Sequence, residues 1–142
     1  MINLKEELTI FNFEKKGSID FNADRTLPEF KLNNIDEAIT KLIYMWVIEN
    51  ENVPEKIIYI GKTRKTLKNR CDQWKGGFKG ASKLGIKTKE KLFKKLNERE
   101  NIAIYARQSD KIELFEQTIS LCETEEIAFI ERYKKHFALL NK

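Results

Sequence analysis

The reading turns on "KIIYIGKTRKTLKNR", residues 56–70. Ile57, Ile58, Tyr59 and Ile60 make an apolar run that suits a buried strand. Gly61 ends it, at a point where a backbone can turn or approach a ligand closely. Lys62, Arg64, Lys65, Lys68 and Arg70 follow at once. The chain passes from core to cation within a few residues, with a tyrosine just before the join.

Upstream, "KLIYMWVI" (41–48) has the same β-forming composition. "ENENVPE" (49–55) separates the two runs with polar residues and Pro54, which predicts an antiparallel hairpin around a seven-residue loop. Downstream the period changes. Leu67, Cys71, Trp74 and Phe78 fall at i, i+4, i+7 and i+11, one helical stripe starting near Thr66. "GGFKGASKLG" (76–85) reads as a flexible basic loop, and Thr88 as the cap of a second helix with Leu92, Phe93 and Leu96 inward. "NIAIYARQ" (101–108) is a third core strand. "SDKIELFEQTISL" shows no decisive period. From Leu121 or Thr124 a last helix sets Ile127, Ile130, Tyr133 and Phe137 roughly on one face.

Toward the N-terminus, "LTIFNF" (8–13) and "SIDF" (18–21) flank "EKKG" and predict a hairpin turning at Gly17. "ADRTLPEFKLNN" (23–34) reads as loop and "IDEAIT" (35–40) as one short helical turn. The sum is an α+β chain: a central three-stranded antiparallel sheet flanked by helices, with an N-terminal β-hairpin addition. No repeat and no long linker interrupts it, so residues 1–142 are expected to form one domain, 1–40 as an extension and 41–142 as the core.

Net charge is +5, but its distribution matters more. Lys62 to Arg99 holds 14 Lys/Arg against 3 Asp/Glu, a local +11, and the rest of the chain is −6. A cationic block on an otherwise acidic chain points to phosphates; the plain alternative is a solvated lysine-rich helix face. No run approaches the ~20 apolar residues of a membrane span, and the N-terminus lacks a signal-peptide layout. Cys71 and Cys122 have no CxxC spacing, so neither a disulfide framework nor a zinc site is indicated, and a reduced, cytoplasmic setting is expected. The single histidine, His136, makes a histidine triad or multi-histidine metal site a poor expectation.

Hydrolysis of a phosphodiester needs an oriented nucleophile, cations for the developing charge and usually a divalent metal. Mg²⁺ keeps several waters, so one well-placed carboxylate can suffice. Arginine donates in pairs to phosphate, and a tyrosine hydroxyl can orient water or act as a base if its pKa is lowered. Tyr44, Tyr59, Arg70 and Glu126 supply this set. Taken singly, each has a bland reading: core tyrosines with satisfied hydroxyls, a surface arginine, an acidic residue favoured near a helix N-terminus.

Their order is more specific than any one of them. Tyr44 in "LIY", "YIG" at 59–61, and then Thr63, Leu67 and Arg70 resemble the GIY-YIG endonucleases, with Leu42 where that signature has its first glycine. "EIAFIERY" (126–133) is similar to the family's metal-binding helix, with Glu125 as the alternative one residue earlier, and "LLNK" to its terminal asparagine segment. "TKEKLFKKLN" and "IAIYARQ" resemble the small phage endonuclease II branch. The likeness covers residues 41–142.

The resemblance implies a metal-dependent endodeoxyribonuclease acting on double-stranded DNA, in restriction or phage-type DNA degradation. Mg²⁺ or Mn²⁺ would sit on Glu126, Tyr44 and Tyr59 at the nucleophile, and Arg70 on the scissile phosphate. Lys62, Arg64, Lys65, Lys68 and Lys89 would contact DNA, and Asn141 would lie near the site. Many members carry His or Tyr about four residues after the arginine; here Trp74 stands there, on the core stripe. Indole is no base, so one of the two tyrosines would have to serve. Cutting both strands would favour a homodimer or higher homo-oligomer. The alternative function is a non-catalytic basic DNA-binding protein that retains the nuclease fold.

Overall fold

The computed structural model describes residues 2–33 and 35–141. The last residue of "ADRTLPEFKLNN" and the last of "LLNK" therefore lie outside the described residues. Strand β3 (Leu42–Asn50) is buried from Leu42 to Glu49, because both faces of the sheet are covered. It pairs on one side with β4 (Val53–Thr63) and on the other with β5 (Asn101–Gln108), all antiparallel.

The sheet has five strands rather than the three expected. β1 (Glu14–Phe21) pairs with β5, and β2 (Pro28–Leu32) pairs with β1, giving the order β2-β1-β5-β3-β4. The N-terminal hairpin exists but is displaced. "LTIFNF" is not its first strand, because α1 (Leu4–Ile10) occupies its first half. The Asn3 side chain accepts from Glu6 N–H and caps that helix, and Leu4 and Leu8 bury one face at helical spacing. The partner of β1 lies instead in the stretch read as loop. Asn22 Oδ1 accepts from Thr26 and Leu27 N–H and folds the connection back. Gly17 is no turn residue. It sits inside β1, where a β-carbon would lie 2.0 Å from Lys31 O.

Five other expectations shift. The β3–β4 connection is a two-residue turn at Glu51 and Asn52, both with positive φ, and not a seven-residue loop. Pro54 sits within β4 because that strand is at the sheet edge. β4 continues past Gly61 to Thr63. "IDEAIT" makes a turn and no helix, with Asp36 accepting from Ala38 N–H. The glycine-rich stretch after α2 (Leu67–Gly76) is wound into a π-helical turn, Gly77–Ala81, and then α3 (Lys83–Asn97). Ser82, which accepts from Gly85 N–H at 2.9 Å, caps α3, while Thr88 is buried inside it. "SDKIELFEQTISL" contains a separate hairpin of β6 (Lys111–Leu114) and β7 (Gln117–Ser120).

α2 and α3 cover one face of the sheet, with Leu67, Cys71, Trp74, Phe78, Leu92 and Leu96 in the core as the spacing predicts. α1 and α4 (Cys122–Tyr133) cover the other. The buried side of α4 is Cys122, Phe129, Ile130 and Tyr133; Ile127, expected inward, is 63% exposed. Cys71 and Cys122 are both free thiols. The C-terminal segment returns to the outer edge of β4, with Leu140 N–H donating to Ile58 O and the Asn141 amide to Ile60 O. The exposed edge of the sheet is thereby partly satisfied. Among the described residues, no helix is long and apolar enough to cross a membrane.

Candidate active site

Tyr44 and Tyr59 are placed by the central hairpin. Tyr44 pairs with Gly61 and Trp46 with Tyr59, after which Val47 pairs with Ile57. Ile58 is thus the extra residue of a β-bulge, a device that re-aims neighbouring side chains at a sheet edge. The two phenol rings stack at 6.0 Å between centroids, 19° apart. Both lie on the α2 face.

α2 brings Arg70 to them. Thr66 caps the helix by accepting from Asn69 N–H, and Leu67, Cys71 and Trp74 fix its roll, so Arg70 is turned toward Tyr44. Arg70 Nε donates to Tyr44 Oη at 3.1 Å and Nη1 to Gln73 Oε1 at 3.0 Å. Its guanidinium lies over the Trp74 ring at 4.9 Å. Trp74 is 4% exposed, on the core stripe as expected, and its Nε1–H also donates to Tyr44 Oη, at 2.9 Å. Reading Trp74 as core alone overlooked that donor. The signal was available, since a buried indole N–H almost always finds a partner.

Burial holds both phenols above the ordinary tyrosine value. For Tyr44 it outweighs the opposing charge of Arg70 and the Trp74 hydrogen bond, and for Tyr59 the neighbouring Tyr44 adds to it. Neither is a phenolate at neutral pH.

Glu126 comes from α4, on the opposite face of the sheet. Its Oε1 lies 3.6 Å from Lys62 Nζ, too far for a hydrogen bond but close enough for strong attraction. The Glu126 charge is also felt at Tyr59. Glu125 is differently engaged. Its Oε1 is 3.1 Å from Arg107 Nε, and its Oε2 accepts from Asp110 N–H at 2.7 Å. That carboxylate ties α4 to the end of β5; the Glu126 carboxylate is the one left toward Lys62. Among the described residues no cluster of three or more His, Cys, Asp or Glu could hold a metal. Asn141 has a buried Oδ1 without a hydrogen-bond partner.

The other expected contacts are not all in one place. Arg64 is exposed and pairs with Glu123. Lys65 is exposed with no ion pair among the described residues. Lys68 pairs with Asp72 at 3.0 Å and lines a separate cleft of about 670 Å³ between α2 and the β1–β2 connection, away from Arg70. Lys89 is half-buried on α3. Lys91, not singled out in the sequence, donates to Leu140 O and holds the terminal segment.

A five-stranded antiparallel sheet covered by helices on both faces, with Arg70 of α2 on Tyr44 of β3, defines a GIY-YIG nuclease-like fold, of the endonuclease II kind. Solved structures share it. A point mutant of bacteriophage T4 EndoII is similar with a TM-score of 0.68 at 23% identity, over 94% of this chain and 96% of that one. The restriction endonuclease HPY188I in complex with product DNA is similar with a TM-score of 0.50 at 16% identity, over 95% of this chain and 82% of that one. No known family profile and no curated protein matches the sequence.

Proposed function

We propose that this chain is a divalent-metal-dependent endonuclease that hydrolyses phosphodiester bonds in double-stranded DNA. The observation that carries the reading is the hydrogen bond from Arg70 to Tyr44, whose ring stacks on Tyr59, with the Glu126 carboxylate 3.6 Å from Lys62 and its charge felt at Tyr59. The names of the two similar structures, an endonuclease and a restriction enzyme with product DNA, support the same class.

Glu126 would hold a hard cation that retains most of its water, since its carboxylate is only loosely engaged by Lys62 at 3.6 Å. Bound there, Mg²⁺ or Mn²⁺ supplies Lewis acidity toward a phosphoryl oxygen and makes water a better nucleophile. The chain's own residues do the rest. Arg70 faces the phosphate with a charge that never deprotonates, held in place by Gln73 and Trp74. Lys62 adds a second cation at the edge. Tyr44 and Tyr59, neutral, orient water or phosphate oxygens by hydrogen bonding. Lys65 and Arg64 extend the cationic path along the backbone of the duplex, and one domain of 142 residues carries the whole site.

A site of this size cuts one strand at a time, so double-strand cleavage calls for two copies. The test is incubation of supercoiled plasmid with Mg²⁺ and with EDTA. Nicked and linear products with metal and none with EDTA are expected. Retention of plasmid in a gel shift without any cleavage under Mg²⁺ or Mn²⁺ would replace the enzyme by a DNA-binding protein of the same fold.

A further inference from the structure

We infer that Trp74 is a positioning residue of this site: its indole N–H and Arg70 Nε together occupy the acceptor side of the Tyr44 hydroxyl, so Tyr44 meets a bound phosphate or water only as a hydrogen-bond donor. The inference rests on the endonuclease reading and deepens it by dividing the roles of the two tyrosines.

A neutral phenol has one O–H to give and two lone pairs to receive. At Tyr44 both are met, by Arg70 Nε at 3.1 Å and Trp74 Nε1 at 2.9 Å. Both partners are obligate donors; neither a guanidinium nor an indole N–H can accept. The Tyr44 proton must therefore point elsewhere, toward the neighbouring Tyr59 hydroxyl or toward a bound oxygen. The arrangement is rigid on the indole side. Trp74 packs edge-on against Trp46 at 5.2 Å and against Tyr59 at 5.4 Å, with Phe78 at 5.7 Å, so its N–H cannot swing away. Arg70 is held over the same ring. Burial keeps the Tyr44 phenol protonated at neutral pH, in agreement with a donor role.

A hydroxyl with its lone pairs filled has no free site for a proton, so Tyr44 orients its neighbours and does not act as the base. The stack would also explain why a non-titrating aromatic residue occupies position 74: what the place requires is an N–H aimed inward, not a base.

The experiment is a double-mutant cycle on plasmid cleavage under Mg²⁺, using wild type, Trp74→Phe, Tyr44→Phe and the double variant, with near-ultraviolet circular dichroism as a check on packing. Phenylalanine fills much of the indole volume and removes the N–H. Trp74→Phe is expected to lower kcat about tenfold with little change in KM, and to have almost no further effect in the Tyr44→Phe background. A purely structural tryptophan predicts equal losses in both backgrounds. A second readout needs no activity. The Trp74 indole N–H proton resonance, assigned by its loss in Trp74→Phe, should be protected from exchange in wild type and should shift and lose protection in Tyr44→Phe. Wild-type kcat in Trp74→Phe, or additive losses, overturns the inference. If wild-type protein cuts nothing, the endonuclease reading fails and the positioning role with it, and a protected indole proton then shows that the contact itself was correctly placed.

Discussion

Gly61 stands directly across the β3–β4 ladder from Tyr44, and a β-carbon on it would lie 2.6 Å from both Cζ and the hydroxyl oxygen of that tyrosine. The same atom would be 2.9 Å from Tyr59 Cε1. The glycine is required by the two phenols and not by a turn, since β4 runs on through it. Gly61→Ala is therefore expected to push the rings off their stacked geometry. Overpacking of this kind costs about 1–3 kcal/mol. Chemical denaturation should register that loss, and plasmid cleavage should fall by more than the loss of folded protein accounts for. Unchanged stability with full activity would contradict the packing described.

The two neighbouring glutamates separate in what they do when removed. Glu125 and Arg107 are nearly buried, with side chains 13% and 9% exposed. Glu125→Ala takes one acceptor from that guanidinium, which keeps Asp110 and the Phe11 carbonyl, and should cost about 1–3 kcal/mol of stability. Glu126→Ala breaks only a loose contact to Lys62 and should cost under about 1 kcal/mol. Cleavage is expected to behave in the opposite way, abolished in Glu126→Ala with DNA binding largely kept. Thermal melts and gel shifts on the two variants check both halves.

Stability should decline on the alkaline side. Burial pushes the Cys71 thiol up to about 12 and holds the Tyr44 and Tyr59 phenols above their usual range. The folded chain keeps protons that the unfolded chain gives up, so these groups contribute fully below about pH 8.5 and lose their contribution as pH rises toward 12. Each adds a slope of about 1.4 kcal/mol per pH unit while it is titrating only in the unfolded state. Melting points between pH 8 and 11 should fall, and Cys71→Ala should flatten the first part of that fall, below about pH 10 where the phenols begin to contribute.

DNA binding should weaken steeply with salt, by roughly 0.9 in log–log slope for each phosphate neutralised on a duplex. Lys65, exposed and without an ion pair among the described residues, is expected to account for about one unit of that slope. Lys68 is tied to Asp72 and faces another cleft, so Lys68→Ala should change the slope less. Fluorescence anisotropy across a salt series distinguishes them, and equal effects would mean that the phosphate path runs over both sides of α2.

Much of this was legible in the residues. The runs at 41–48, 56–61 and 101–108 announce strands because their apolar content is continuous, and Leu67, Cys71, Trp74 and Phe78 announce α2 because their spacing is helical. Such signals are local: a buried face imposes its period on the stretch that builds it. The order of Tyr44, Tyr59, Arg70 and Glu126 was legible in the same way, as residue types, and the folded chain sets Arg70 on Tyr44 and stacks the two phenols. Other features depend on partners distant along the chain. β1 found its mate in "PEFKL", whose short apolar alternation opens on Pro28 and is flanked by loop-like residues, and the first half of "LTIFNF" became helix because Asn3 caps it and Leu4 and Leu8 find a common core. Only the folded chain placed Glu125 on Arg107 and left Glu126 near Lys62, since a one-residue step along a helix turns a carboxylate by about 100° and composition is blind to that rotation. Only the folded chain aimed the Trp74 N–H at Tyr44, across 30 residues of sequence, because the direction of a hydrogen bond is set by the packing of every ring around it.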